Sequence, residues 1–258
     1  MTQPTILISN DDGYYAEGLQ ALRDALSPLG RVISVAPDKD NSGVSHKITI
    51  HTALRLRDVG PDSYTVSGTP VDCIHLALHG VLDGKLPDVM VSGINHGLNL
   101  GEDTAYSGTV GAAYEAFTHG IPALAISAGR DGDEGYAFEN AGRVAHQLVK
   151  SHLEGDPFLG ETLWNANVPP GPISGFRVVK LDKRSFQSSI VKRLDPRGQP
   201  YYWMGPYDPV FDNEADTDHA AYRNGFVSVT PLKVEMTHFD ILQRYSHNNQ
   251  PFSQLIDE

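Results

Sequence analysis

Short apolar runs alternate with segments of helical period through the first 160 residues. "TILIS" (5–9), "RVISVAP" (31–37), "PDVMVSGIN" (87–95) and "PALAISA" (122–128) are bounded by turn residues and predict buried strands. Between them, "AEGLQALRDALSPLG" (16–30) sets Leu19, Leu22, Leu26 and Leu29 at helical spacing, with Gly30 as a stop. "TPVDCIHLALHGVL" (69–82) opens on a Thr-Pro start signal and predicts a second helix. "SGTVGAAYEAFTHG" (107–120) and "YAFENAGRVAHQLVKSHL" (136–153) predict two more. "ITIHTALRLRDV" (48–59) and "SYTVSG" (63–68) alternate and predict a β excursion. Strand–helix–strand units of this kind pair in parallel through right-handed crossovers.

The texture changes after about residue 160. "TLWNANVPP", "GFRVVKL", "SSIVKRL" and "YYWMG" are short strands split by Pro, Gly and Asp-Pro turns; "FVSVTPL" (226–232) is one more, and "DILQRY" starts a short terminal helix. The expected fold is α/β: a Rossmann-like, doubly wound, mostly parallel sheet with a C-terminal β-hairpin/helix extension. Residues 1–160 form the core that carries the site; 161–258 supply the remaining strands and an extension for oligomer contacts. Tyr201, Tyr202 and Trp203 on exposed hairpins suit subunit contact, because aromatics with polar tips favour interfaces.

A chain of 258 residues that is 40% hydrophobic and 20% charged is long enough for a sizeable core and reads as globular. Its formal net charge of −12 argues against a nucleic-acid polymer as partner, since duplex binding depends on Lys and Arg neutralising phosphates. A small phosphorylated ligand is still allowed, held by a cation and backbone N–H groups. Cys73 is the single cysteine, so no intrachain disulfide can form, and its apolar segment predicts a core position. No apolar run approaches a membrane span, and no signal-peptide pattern opens the chain; a cytoplasmic protein is expected.

In open α/β sheets ligands sit beyond the carboxyl ends of the strands. The first predicted strand delivers Asn10-Asp11-Asp12-Gly13, and the second a loop with Asn41-Ser42-Gly43. The strand at 87–92 delivers "SGINHGLNLGED" with Asn95 and Asn99, and the next helix opens with Ser107-Gly108-Thr109. These donors are hard oxygens without a thiolate, which suits Mg²⁺, Mn²⁺ or Ca²⁺. Two adjacent carboxylates repel and one pKa rises unless a counter-ion intervenes. Adjacent residues of a strand face opposite ways, so both reach one ion only where the strand has ended, and Gly13 supplies freedom for that turn. The Ser107 helix start reads as a phosphate cradle of unpaired N–H groups and hydroxyls, without the lysine of a P-loop.

Simpler readings exist for each piece. Asp-Asp-Gly alone is commonly a turn, and Ser-Gly-Thr before a helix commonly only a cap. Their joint occurrence with a long Gly/Asn loop at strand ends favours function. His75 and His79 stand at i, i+4 but lack an HExxH glutamate, and are read as structural. His46, His96 and His219 lie in polar segments and can serve as acid or base; spacing selects none of them. No G-x-S-x-G elbow is present.

The stretches "ILISNDDGYYAEGLQAL", "VAPDKDNSGVSHKIT", "GTPVDC", "PDVMVSGINHGLNLGEDTAYSGTVGAAYEA", "PALAIS", "WNANVP", "DPRGQPYYWMG" and "DTDHAAYRNGFVSVTPL" occur in the order found in one family. The chain resembles SurE, the stationary-phase survival proteins, which are metal-dependent 5′/3′-nucleotidases. The resemblance implies hydrolysis of nucleoside monophosphates, with short polyphosphate a further substrate of some members. It implies one divalent cation (Mg or Mn) held by Asp11, Asp12, Ser42 and Asn95, with phosphate bound at Asn99 and the Ser107-Gly108-Thr109 turn. It also implies a homodimer or homotetramer in which the hairpin near 190–205 is exchanged. Lys47, where a small polar residue is usual, and Ala116, where glycine is common, depart from the pattern without touching the metal set.

The reaction expected is metal-assisted hydrolysis of a phosphate monoester, with Asp11 or Asp12 orienting the attacking water. An aspartyl-phosphate mechanism needs Asp-x-Asp spacing, and here Asp11 and Asp12 are adjacent. A non-catalytic nucleotide or metal sensor is the alternative from another class.

Overall fold

A computed structural model describes residues 3–132, 135–185, 190–204, 210–211 and 214–246. The elements in chain order are β1 (Thr5–Ser9), α1 (Glu17–Leu26), β2 (Arg31–Pro37), β3 (Leu56–Gly60), β4 (Ser63–Val66) and α2 (Pro70–Leu76). A π-turn (Ala77–Val81), β5 (Val89–His96), a 3₁₀ turn (Gly101–Ala105), α3 (Gly108–Thr118), β6 (Ala123–Ala128) and α4 (Phe138–Leu153) follow. Then come α5 (Phe158–Glu161), β7 (Leu163–Val168), β8 (Phe176–Val178), β9 (Arg184–Ser185), β10 (Ile190–Leu194) and β11 (Pro200–Met204). β12 (Val210–Phe211), α6 (Asp218–Arg223), β13 (Val227–Leu232) and α7 (Phe239–Ser246) complete the order.

Nine strands form one sheet in the order β3-β4-β2-β1-β5-β6-β7-β13-β8. From β4 to β7 every neighbouring pair is parallel, while β3 pairs antiparallel with β4 and β13 antiparallel with β7. The chain leaves β1 toward β2 on one side and returns to β5 on the other, so the strand order reverses between β1 and β5. A crevice opens at the carboxyl ends of strands at such a reversal.

The alternation within β1 builds both layers. Ile6 and Ile8 join Val89, Val91, Leu22 and Val144 on the face covered by α1 and α4. Leu7 joins Ile33, Met90, Ile74 and Ala113 on the face covered by α2 and α3. Strands buried on both faces read as continuous apolar runs, the pattern of "TILIS" and "VMV". α1 lies close on β5 because Gly18 has no side chain: a Cβ there would sit 2.0 Å from the Ile94 carbonyl oxygen. Cys73 is fully buried in the second layer, as its apolar segment predicts.

Three segments differ from the sequence reading. The helix expected over 69–82 is α-helical only to Leu76 and then widens into the π-turn, which contains the weak helix former Gly80. Thr69 caps it, in reciprocal hydrogen bonds with Asp72. Of the excursion at 48–59, only Leu56–Gly60 is a strand. The preceding chain is tied to side chains instead: the Thr49 N–H donates to Asp72 (2.9 Å), and the Thr69 hydroxyl donates to the Lys47 carbonyl (2.6 Å). The terminal helix runs Phe239–Ser246, slightly longer than "DILQRY". β10 and β11 pair as the expected antiparallel hairpin, and residues 186–189 and 205–209 beside it lie outside the described residues.

Asp218 at the start of α6 ties the late chain to the loop after β5. Its carboxylate accepts from the N–H groups of Gly101 (2.8 Å), Asp182 (2.9 Å) and His219 (2.8 Å). Burial pushes this carboxyl up from its ordinary range, and the three N–H donors pull it back. Asp218→Ala leaves those donors without their acceptor and is expected to lower unfolding stability by about 3 kcal/mol. Asp218→Asn, which keeps one acceptor, should lose less. Urea denaturation checks both, and an alanine variant as stable as the parent would contradict the anchoring role.

Candidate active site

β1 ends at Ser9, and the chain then turns sharply. Gly13 adopts φ +103°, a region glycine enters without strain. The Asn10 side-chain amide donates to the Gly13 carbonyl (3.0 Å), and the Ala16 N–H donates to the same oxygen (3.1 Å). The Asn41 N–H donates to the Asp11 carbonyl (2.7 Å), which fastens this turn to the loop after β2.

Beyond the strand end the two carboxylates take different partners. Asp11 points at the start of α3, where it accepts a short hydrogen bond from the Thr109 hydroxyl. Gly108 makes this approach possible: a Cβ there would lie 2.8 Å from Asp11 Cβ and 2.9 Å from its Oδ2. Asp12 turns toward β5, accepts from the His96 N–H (3.3 Å) and lies 3.8 Å from His96 Nδ1. Burial pushes both carboxyls up to about 6; the Asp12 charge adds to the rise at Asp11, and the Asp40 charge to that at Asp12.

A pocket of about 220 Å³ opens beside them, lined by Asp11, Ser42, Gly43, Asn95, His96, Leu98, Asn99, Asp103, Tyr106 and Ser107. Among the described residues no lysine or arginine lines it. A larger pocket of about 370 Å³ lies between α1 and α4, around Ala21, Ala25, Phe138 and Gly142. It gathers none of the strand-end residues, so the chemistry belongs to the smaller one.

Asp11, Ser42, Asn95, Asn99 and Ser107 are brought together at this pocket; Asp12 is not among its lining residues and meets it through the His96 N–H. Ser42 is exposed, and its hydroxyl donates to Asp40 (2.6 Å). The Asn95 side-chain amide donates to the Gly97 carbonyl (2.9 Å), which leaves its own carbonyl as an acceptor. The Asn99 amide nitrogen donates to the Ser127 hydroxyl (3.0 Å). Ser107 is the N-cap of α3 and accepts from the Val110 N–H (3.1 Å). Thr109 and Gly108 stand apart from this group. Thr109 is fully buried on Asp11, and Gly108 packs against Asp11 and Val44.

Fit to a cation can be judged from the donors themselves. The nearly buried Asp11 carboxylate, an amide carbonyl and a hydroxyl line the pocket, the Asp12 carboxylate lies against its His96, and no lysine or arginine is among the described lining residues. The N-terminal end of α3 offsets part of the Asp11 charge. A hard divalent cation fits this oxygen donor set.

Residues outside the sequence-derived set also shape the site. Asn165 and Asn167 on β7 donate from their amides to the Asn99 carbonyl (2.8 and 3.1 Å), and the Asn167 oxygen accepts from the Asn99 N–H (2.8 Å). Their signal is in "WNANV": two amides at period 2 inside a buried strand need a polar partner. Among the three histidines left open, His96 lines the pocket, stacked on Tyr136 at 5.2 Å. His46 turns to Glu115 (2.7 Å), and His219 lies 3.6 Å from Asp182.

Gly108→Ala tests the contact at the centre of the site. Helix propensity alone would make it neutral or stabilising. The clash with Asp11 should instead cost about 1–3 kcal/mol of unfolding stability. Chemical denaturation reads the sign, and a stabilised variant would contradict the close approach.

Comparison with known proteins gives the chain's family. The family described as Survival protein SurE matches residues 6–188. The 5′-nucleotidase SurE of Syntrophotalea carbinolica is 44% identical over 245 residues, covering 93% of this chain and 97% of that protein. The 5′-nucleotidase SurE of Aquifex aeolicus is 44% identical over 245 residues, covering 93% of this chain and 96% of that protein. The crystal structure of the Aquifex aeolicus SurE protein superposes with a TM-score of 0.80 at 41% identity, over 95% of this chain and 99% of that one. With its strand-end carboxylates, its Asn-rich loop and these relatives in agreement, the chain belongs to the SurE family.

Proposed function

We propose that this chain is a metal-dependent phosphatase that hydrolyses nucleoside 5′- and 3′-monophosphates to nucleoside and phosphate, with short polyphosphate as a further substrate. One observation carries the reading: the buried Asp11 carboxylate at the sheet's switch point lines a pocket with no lysine or arginine among its described lining residues, and the adjacent Asp12 carboxylate, 11% exposed, accepts from the N–H of His96 in that lining. The named activity of the relatives, 5′-nucleotidase, supports the same reaction class.

Asp11, Asp12, Ser42 and Asn95 are the residues that would hold one divalent ion, Mg²⁺ or Mn²⁺. When bound, that ion supplies Lewis-acid polarisation of a phosphoryl oxygen and counters the charge of the leaving group. The chain's own residues do the rest. Asn99, fixed by Asn165 and Asn167, presents its amide to a phosphate oxygen, and Ser107 offers its hydroxyl from the mouth of α3. The Gly108-Thr109 start aligns the positive end of α3 with the same region, acting through Asp11. Asp11 or Asp12 orients the attacking water, and the fixed amides lower the reorganisation needed as charge develops. Direct aspartyl phosphorylation fits less well, because Asp11 is engaged with Thr109 while Asp12 faces His96.

Residues 1–160 carry this site in the proposal, and 161–258 add strands and the oligomer extension. The reading includes a homodimer or homotetramer. Tyr202, Trp203 and Met204 on β11 are 59%, 63% and 79% exposed, and α7 has no buried residue. Apolar surface of that extent suits burial against another copy. A cytoplasmic setting is part of the same proposal; among the described residues no helix is long and apolar enough to cross a membrane.

Phosphate release from nucleoside monophosphates should require Mn²⁺ or Mg²⁺, stop with EDTA and return when metal is restored. Asp12→Asn should lower turnover by about 100-fold or more with the fold intact by circular dichroism. Wild-type turnover in that variant, or release indifferent to EDTA, would sink the mechanism. Nucleotide binding without any phosphate release would favour the sensor.

A further inference from the structure

A group of imidazole and carboxylate side chains gathers at the other half of α3. Glu115 is nearly buried, with its side chain 11% exposed, and three imidazoles converge on its carboxylate. His75 Nε2 is 3.0 Å from Oε1, and His119 Nε2 is 3.1 Å from the same oxygen. His46 Nε2 is 2.7 Å from the other oxygen, Oε2. A ligand atom from each of His75, Glu115 and His119 lies within 4.8 Å of the other two. In a tetrahedral site with bonds of about 2.0 Å the ligand atoms stand about 3.3 Å apart, so both carboxylate–imidazole separations are close to those of a coordinated ion.

The arrangement spans two packed helical segments. His75 and His79 sit at i, i+4 across α2 and its π-turn, and Glu115 and His119 at i, i+4 along α3 and its cap. Such pairs on facing helices are a recurrent way to build a metal site. The His79 ring is stacked on His75 at 6.5 Å and lies 6.3 Å from the His119 ring, which makes it the nearest further imidazole for a fourth position. The hydrogen bond from His46 to Oε2 leaves Oε1 turned toward His75 and His119, and outer partners of this kind orient metal ligands.

We propose that His75, Glu115 and His119, with His79 or water in the fourth position, bind a borderline transition-metal ion of the Zn²⁺ class at a site separate from the Asp11/Asp12 pocket. The two sites differ in chemistry. Imidazole nitrogens prefer Zn²⁺ and its neighbours, whereas the oxygen donors Asp11, Asp12, Ser42 and Asn95 suit Mg²⁺ and Mn²⁺. They also differ in place. Glu115 is eight positions along α3 from Ser107, which at the helical rise is about 12 Å. The His75 and His119 side chains are 33% and 31% exposed, so an ion can enter from solvent. Binding displaces the protons that otherwise link the imidazoles to the carboxylate.

Co²⁺ is the probe, added to the full chain in excess Mg²⁺ so that the oxygen pocket is filled. The expected result is the visible d–d absorption of tetrahedral Co²⁺, bleached by Zn²⁺ and retained in Asp11→Asn/Asp12→Asn. His75→Gln/His119→Gln should weaken Co²⁺ binding by about 100-fold or more, with Mg²⁺-dependent phosphate release unchanged. Zn²⁺ should also raise the thermal midpoint of the parent but not of that variant. His75→Gln alone, at a part-exposed position, gives the same comparison if the double variant folds poorly. No absorption in excess Mg²⁺, absorption lost with the two aspartates, or absorption kept without the two histidines would each overturn the second site and leave a hydrogen-bonded cluster only. None of these outcomes bears on the phosphatase assignment.

Discussion

The structure depends on one costly placement: the Asp11 carboxylate is buried against the N-terminus of α3, with Asp12 directly after it. A lone buried carboxylate is expensive. Here the Thr109 hydroxyl and the positive end of the helix offset part of that expense. Among the described residues no lysine or arginine lines the pocket to offset the remainder, which is why a cation is proposed there. Gly108 is the geometric condition, since any side chain there would meet Asp11.

The fold exists around this placement in a specific sense. Reversal of strand order between β1 and β5 opens the crevice, and the strand ends beside it deliver Asp11, Asp12 and Asn95. The late chain then holds the pocket's far wall. β7 fixes Asn99 through Asn165 and Asn167, and α6 fixes Gly101 through Asp218. Residues nearly 120 positions apart thus share one loop's geometry. If the second cation site on Glu115 is occupied, α3 is held at both ends, by Asp11 at one and by imidazoles from α2 at the other.

Much of this was legible before the structure. Short apolar runs place β1, β2, β5 and β6, period-3.6 patterns place α1, α3 and α4, and the strand-end rule groups Asp11, Ser42, Asn95, Asn99 and Ser107. What escaped depends on long-range partners. Thr109 reads as a free hydroxyl in sequence, yet it is buried on a carboxylate 98 positions away. Residues 48–55 alternate like a strand, but side-chain partners at Thr69 and Asp72 hold them outside the sheet. His75 reads as structural in isolation; its contact with Glu115 on a neighbouring helix is one that spacing along one segment does not reveal.

The most direct measurement is a crystal structure of the chain with Mn²⁺, located by its anomalous scattering. The account predicts one Mn²⁺ within bonding distance of carboxylate oxygens from both Asp11 and Asp12, beside Asn95. A Mn²⁺ peak elsewhere, with both carboxylates left without a cation, would contradict it.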